Sequence, residues 1–329
     1  MSLDIPKHYP VMLDEVISHL ENYKKIVDCT FGGGGYSREI LKKFPQSLVT
    51  GIDRDENTRS FADDLKKEFK HRFDFFNHKF SQINLLDNFN EVDYFIFDLG
   101  VSSFQLKDLK RGFSFNSNFD LDMRMGINSF TAKDLVNHLS EEDLKNILKY
   151  FGEEKFASKI AKEIVLQRKE KQINLASELS ELINKIKFKK GKADPATKSF
   201  QALRMIVNQE FSEIYNVLKY VIENSKVGSK IIIISFHSLE DLLVKKIFSF
   251  FGKKKSLSRY VPETHDLFQQ SIKLINNKPI TPSKNEIKLN PPSRSAKLRV
   301  IQKIMNPSKK LERKDLKLEK YFNLEKTYG

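Results

Sequence analysis

Three aspartates, each at the close of an apolar run, are the residues whose types and spacing first suggest chemistry. Asp28 ends a short run that begins at Ile26, Asp53 ends LVTGID from Leu48, and Asp98 lies at the carboxyl end of DYFIFDL, Asp93 to Leu99. Short apolar runs of this kind read as buried strands, and an open α/β sheet holds its ligand outside the carboxyl ends of its strands. Acids at three such ends suggest a site more than a surface. Four consecutive glycines, Gly32 to Gly35, follow the first end, and a polar, helix-compatible run begins at Tyr36. Glycine has no Cβ, so a strand–glycine–helix turn bends tightly and lets a ligand approach its N–H groups. Asp53 lies 21 positions after Gly32, about where a doubly wound sheet places an acid to accept from ribose hydroxyls. The bland alternative is a flexible turn with Asp53 as a helix cap. The loop and the acid together favour a nucleoside ligand.

The same loop restricts that ligand. Gly-x-Gly-x-x-Gly fails, because the sixth position is Ser37 counted from Gly32 and Arg38 counted from Gly33. No Gly-x-x-x-x-Gly-Lys-Ser/Thr occurs either, which argues against a phosphate-cradling loop. A cofactor with adenosine and no pyrophosphate fits better, and S-adenosylmethionine is the common one.

The elements that must position these residues alternate over the first hundred positions. Helical spacing over Asp14 to Leu20, Ser37 to Phe44 and Glu56 to Phe69 separates strands ending at Asp28 and Asp53 and a third strand, Arg72 to Asn77. Such alternation predicts a mostly parallel sheet. From Thr131 to Asn224 the pattern is helical throughout. Thr131 with Asp134 and Ser140 with Asp143 resemble capping boxes, and Asp194-Pro195 resembles an N-cap with proline at the first helical position. Phe200, Leu203, Val207, Phe211, Ile214, Leu218 and Val221 form one apolar stripe. SKIIIISF, Ser229 to Phe236, restores a buried strand, Leu239 to Phe250 a helix, and Ala296 to Met305 adds a late strand. Residues 129–224 are therefore expected to form an inserted helical domain for substrate recognition, and 1–128 with 225–329 a discontinuous sheet domain. The charged end beyond Asn306 is expected to be mobile.

A formal charge of +14 points to a polyanionic partner, nucleic acid before membrane. Most of it lies late, with 19 Lys and Arg against 7 Asp and Glu between Phe251 and Gly329. The lone Cys29 excludes an internal disulfide and a cysteine-cluster zinc site. The opening MSLDIPKHYP lacks the pattern of a secretory leader, and no apolar run approaches the ~20 residues needed to span a bilayer. The cytoplasm is the expected compartment.

HYPVML, DCTFGGGGYS, GIDRD, FDLGVSSFQL, RGFSF, LDMRM, ATKSFQALRMIVNQE, SFHSLED and NPPSRSAKLR occur in this order from His8 to Arg299. Together they resemble the bacterial 16S rRNA cytosine N4-methyltransferases, the MraW/RsmH-like family. The resemblance implies a class I S-adenosylmethionine-dependent methyltransferase fold, Rossmann-like, with an inserted small all-helical domain. It implies N4 methylation of a cytosine, nucleotide 1402, at the decoding P site of 16S rRNA in the small ribosomal subunit. Carried over by position, the cofactor contacts are Gly34, Gly35, Tyr36, Asp53, Phe80, Asp98 and Gln105. Tyr36 stands where the family usually has histidine, Phe104 where it has proline, and Lys198-Ser199 where it has Arg-Thr.

Methyl transfer to an exocyclic amine is an in-line displacement by a poor nucleophile, whose lone pair is delocalised into the ring. Acceptors that hold its hydrogens pull the nitrogen toward tetrahedral geometry and stabilise its developing charge. Asp98 stands where related amino-methyltransferases place an Asp/Asn/Ser-Pro-Pro-aromatic motif, though here it is followed by Leu99-Gly100-Val101. His237, after the restored strand, is the candidate second acceptor or proton relay, with a structural role beside Glu240 or Asp241 as its alternative. Arg111, Arg124 and the segment Arg294 to Arg299 are the expected phosphate contacts. Two other readings are a catalytically inactive rRNA-binding assembly factor and a nicotinamide-dependent oxidoreductase. Neither monomer nor homodimer is favoured.

Overall fold

The computed structural model describes residues 9–22, 24–126, 130–187, 194–252 and 270–329. His8 and the stretch 253–269 lie outside the described residues. The chain divides into two compact units, residues 1–100 with 213–317 and residues 101–212 with 318–329.

The first unit is built on strands β1 (Lys25–Asp28), β2 (Leu48–Ile52), β3 (Phe73–Phe76), β4 (Tyr94–Asp98), β5 (Lys230–Ser235), β6 (Ile272–Leu274) and β7 (Lys297–Lys303). They pair in the order β3-β2-β1-β4-β5-β7-β6. The first five run parallel, and β7 pairs antiparallel with both β5 and β6. This is the mostly parallel, Rossmann-like sheet of the class I expectation. Chain order reverses between β1 and β4, the switch point where such sheets open a ligand crevice. Phe95, Ile96 and Phe97 of β4 and Ile231 to Ile234 of β5 are buried. Strands covered on both faces read as unbroken apolar runs, which is why the sequence shows no alternation there.

Helices Leu13–Ser18, Gly35–Lys43 and Arg59–Phe69 bring Val16, Ile40, Leu41, Ala62 and Leu65 into one apolar cluster with Phe31, Val49 and Phe73. Each such aliphatic or aromatic side chain contributes about 1.5–3 kcal/mol when fully buried, so this layer fixes the carboxyl ends of β1 and β2. The late strand is β7, one position shorter at its start and two at its end than Ala296 to Met305. The strand β6 was not visible in the pattern, because only Ile272 of its three residues is buried.

In the second unit the Thr131 capping box forms as read, while Ser140 acts as a simple N-cap. Thr131 Oγ1 accepts from the Asp134 N–H at 3.1 Å, and Ser140 Oγ from the Asp143 N–H at 3.1 Å. The long apolar stripe from Phe200 is broken into helices Thr197–Asn208 and Glu210–Asn224 by Gln209, which sits at φ 52°. The unit boundaries lie at 100/101 and 212/213, against the expected 128/129 and 224/225.

The end of the chain is ordered, contrary to expectation. Glu319–Tyr328 is a helix that buries Tyr321 and Phe322, whose rings lie 5.0 Å from that of Phe211. Glu325, 1% exposed, accepts from the N–H groups of Phe211 at 2.8 Å and Ser212 at 2.7 Å. These are first-turn donors that a helix cannot satisfy internally. Glu325→Ala removes their acceptor, and an orphaned buried donor costs about 1–3 kcal/mol. A guanidinium melt should show a loss of about 2 kcal/mol or more; a parental midpoint would show that water replaces the carboxylate.

Candidate active site

The turn after β1 is tied to the end of β2. The Phe31 N–H donates to the Ile52 carbonyl at 2.9 Å and the Gly32 N–H to Asp53 Oδ2 at 2.8 Å. Gly32 and Gly34 sit at φ 53° and 73°, where a β-carbon is penalised. A Cβ on Gly34 would also lie 2.7 Å from the Phe31 ring, and one on Gly51 of β2 2.5 Å from it. Gly34 then caps the helix Gly35–Lys43. Asp53 Oδ1 accepts from the Asp55 N–H at 2.9 Å, and its carbonyl from Asn77 Nδ2 at 2.8 Å. One N–H on each carboxylate oxygen fixes the group and leaves each oxygen a lone pair for a hydroxyl.

Behind the loop lie buried acids. Asp28 is 0% exposed; its Oδ2 accepts from Ser37 Oγ at 2.7 Å, and its Oδ1 has no hydrogen-bond partner among the described residues. Asp98 Oδ1 is likewise shielded and unpartnered, while the Asp98 N–H donates to Thr30 Oγ1 at 2.7 Å. Tyr36 is buried, and its hydroxyl donates to the Val11 carbonyl and lies within hydrogen-bond reach of Asp98. Burial and then the charges of Asp28 and Glu240 push Asp98 well above its ordinary value, against the Tyr36 hydroxyl that favours its ionised form. Burial pushes Asp28 up to about 6 against the Ser37 hydrogen bond. It pushes Asp53 to about 6 against the two N–H donors. The structure thus brings Asp28, Asp98 and Tyr36 together at the switch point, with Asp53 and the glycine turn at the neighbouring strand end.

Other candidates fare differently. Phe80 is half-buried after β3, its ring edge-on to Phe97 at 6.2 Å. Gln105 belongs to the second unit, where its side-chain oxygen accepts from the Ser102 N–H at 3.0 Å. His237 precedes the helix Ser238–Gly252: its Nδ1 faces the Glu240 N–H at 3.4 Å, and its Nε2 lies 3.0 Å from Glu240 Oε1. The other Glu240 oxygen accepts from the Phe236 N–H at 2.8 Å. Nδ1 caps the first turn of that helix, while Nε2 and Glu240 Oε1 are shielded and, despite their proximity, make no hydrogen bond to each other. Glu240, 0% exposed, is the neighbour that the structural alternative for His237 named, and the spacing His-x-x-Glu is a variant of the capping box.

Most of the expected phosphate contacts are used internally. Arg299 Nε lies 2.8 Å and Lys297 Nζ 3.3 Å from Asp241, and these partners hold that carboxyl below its ordinary value although burial opposes them. Arg124 grips Asp122 through Nε and Nη2, both at 2.8 Å, and Arg111 Nη2 donates to the Arg124 carbonyl at 2.8 Å. Arg294 is exposed.

The model of the MraW methylase family matches residues 6–304. The chain belongs to that family. Similar proteins named ribosomal RNA small subunit methyltransferase H include that of Persephonella marina, 41% identical over 91% of this chain and 99% of its own. That of Ehrlichia canis is 43% identical over 90% and 100%. A solved structure titled as a putative rRNA methylase from Clostridium thermocellum has a TM-score of 0.40 and 9% identity over 89% of this chain and 94% of its own.

Membership in the MraW methylase family makes the chain a methyltransferase and removes the nicotinamide reading. Its cofactor is S-adenosylmethionine, and the residues present fit it: unpartnered, shielded carboxylate oxygens on Asp28 and Asp98 suit a ligand carrying sulfonium and ammonium charge. Among the described residues no helix is long and apolar enough to cross a membrane.

Two consequences for pH follow. Asp28 and Asp53 bind protons more tightly folded, at about 6 against an ordinary 3.8. Their contribution to ligand-free stability is fully present below the ordinary value and lost as pH climbs through about 6. A cationic ligand favours the ionised acids, so S-adenosylmethionine should release protons as it binds near pH 6. Calorimetry in buffers of different ionisation enthalpy measures this, and a binding heat independent of buffer would refute it.

Proposed function

We propose that this chain transfers methyl from S-adenosylmethionine to N4 of a cytosine in 16S rRNA, nucleotide 1402 at the decoding P site, acting in the cytoplasm on the small ribosomal subunit. Family membership supports methyl transfer, and the relatives' names support the rRNA substrate. The observation that carries the site is the pair of shielded, unpartnered oxygens of Asp28 and Asp98 beside the glycine turn at the switch point.

When bound, the cofactor supplies an electrophilic methyl on a cationic sulfur. The chain's own residues position and neutralise. In this reading Asp53 accepts the ribose hydroxyls, and the turn from Gly34 to Tyr36 offers backbone N–H groups. The Tyr36 side chain is committed inward to Val11 and Asp98, so it stands in for the family histidine only through its backbone. Phe80 packs beside the pocket. Asp98, ionised by the cationic ligand, accepts a hydrogen of the incoming amine and stabilises charge developing on its nitrogen. The methylated amine can lose its proton afterwards, so no strong base is required. Of the two roles open to His237, we propose the structural one: it fixes the turn after β5.

Asp53→Ala should weaken S-adenosylmethionine binding at least about tenfold while the protein stays folded, since hydrogen bonds to a charged acceptor are worth roughly 1.5–3 kcal/mol. Unchanged affinity would sink the ribose assignment. Asp98→Asn should lower single-turnover methylation of small subunits by roughly 10²-fold. His237→Asn, which keeps a capping side chain, should methylate near the parental rate. A fall of His237→Asn to the Asp98→Asn level would restore the imidazole as an acceptor. Mass spectrometry of small-subunit rRNA from a deletion strain tests the substrate, because an unmodified N4 at nucleotide 1402 must appear there.

A further inference from the structure

Residues 106–119 of the second unit carry three large apolar side chains in water. Leu106 and Leu109 are 42% exposed and Phe119 is 46% exposed, with Lys107, Asp108 and Lys110 exposed between them and the Asp108 carboxylate taken up by the Lys110 N–H. Single exposed leucines need no explanation, but these stand on a backbone that cannot fold them inward. Ser117, 0% exposed, donates its hydroxyl to the Leu109 carbonyl and accepts from the Phe119 N–H at 3.1 Å. One oxygen therefore holds Leu109 and Phe119 side by side. The Ala176 N–H bonds to the Phe119 carbonyl at 3.2 Å and the Ser177 N–H to the Ser117 carbonyl at 2.9 Å. Gly112, at φ 68°, packs so closely that a Cβ would lie 2.3 Å from the Asp120 carbonyl, and the Met123 N–H bonds to the Arg111 carbonyl at 3.0 Å. The arginines expected on phosphates thus brace this loop.

We propose that Phe119, with Leu109 beside it, is a stacking platform for an unpaired base of the rRNA substrate, and that Lys107 and Lys110 hold the adjoining phosphates. The proposal rests on the rRNA reading above. Sequence-specific RNA contacts fall mainly on unpaired bases stacked against aromatic rings, and a positively charged track beside such rings follows the backbone. Lysine is depleted at protein–protein interfaces, so its interleaving with the apolar side chains favours RNA over a protein partner.

The test measures binding of protein-free small-subunit rRNA to the full chain with Phe119→Ala, Phe119→Trp and Phe119→Leu, and with Lys107→Ala and Lys110→Ala combined. Stacking on one ring is worth about 1–3 kcal/mol, so Phe119→Ala should weaken rRNA binding about tenfold. Phe119→Trp should bind like the parent and Phe119→Leu like the alanine variant. The double lysine variant should flatten the dependence of log affinity on log salt by roughly 0.7 for each phosphate no longer neutralised. S-adenosylmethionine affinity and the melting temperature should stay parental in all four, which separates the effect from misfolding. Parental rRNA affinity of Phe119→Ala, or full recovery by Phe119→Leu, would overturn the platform. A parent chain that binds no rRNA would instead overturn the substrate reading.

Discussion

Everything at the ligand end of the sheet depends on how one phenylalanine holds the first turn against the second strand. The Phe31 ring occupies the space that side chains on Gly34 and Gly51 would need, and it packs on Phe73 and Phe75 at 5.5 and 5.2 Å. That places the Phe31 N–H on Ile52 and the Gly32 N–H on the Asp53 carboxylate. The glycines therefore serve the protein before they serve a ligand. Gly51 has no turn to make; it is small because a ring from the neighbouring loop lies over it. A shift of the loop by even an ångström would take an N–H donor from Asp53 and open a gap in the apolar layer, so cofactor geometry and folding stability are the same constraint here.

Around that clamp the chain accepts an electrostatic cost. Asp28 and Asp98 are placed where water does not reach their outer oxygens, near each other and near Glu240. Ionised carboxylates in such surroundings are expensive unless paired, and the ligand-free protein meets the cost by protonation and by the Tyr36 and Ser37 hydroxyls. The apolar strands β4 and β5 beneath them add to that cost, since they exclude the water that would otherwise solvate a charge. In the proposed reading, binding of the cationic methyl donor offsets that cost.

What could be read in advance follows from the range of the interactions involved. The strands other than β6, the helices of the first hundred residues and the caps at Thr131 and Ser140 are local patterns, and they were legible within a few residues at each end. The acids at Asp28, Asp53 and Asp98 were legible because a charge in an apolar run has few reasons to be there. The partner of Phe31 in Gly51, the pairing of Arg299 with Asp241 and the capping of Phe211 by Glu325 join positions far apart in sequence, and no local pattern announces them. For that reason the basic segment near Arg299 was read as a phosphate contact and the last helix as a loose end. The unit boundaries lie elsewhere than expected for a related reason. The RGFSF and LDMRM segments have no period, and bonds to distant positions, Leu121 to Asn174, Phe119 to Ala176 and Met125 to Asn208, tie them to the second unit.

The turn after β5 shows where the structure invests its order. The Leu99 N–H bonds to the Ile234 carbonyl at 3.0 Å, so the ends of β4 and β5 stay in register one residue past the strand. Gly100 then turns at φ 97°, and Glu240 accepts from the Phe236 N–H while its own N–H donates to His237 Nδ1 at the start of the next helix. These hydrogen bonds fix backbone at the ends of both strands. That is the pattern an in-line displacement at a weak amine calls for. Holding the nitrogen, the methyl and the sulfur in line supplies most of the rate, whereas a base adds little when the proton can leave after the methyl has arrived. A charged relay would also have to coexist with three acids already close together. In the proposed reading the site is accordingly a rigid frame around one tunable carboxyl, Asp98, with geometry taking the part that a catalytic base plays elsewhere.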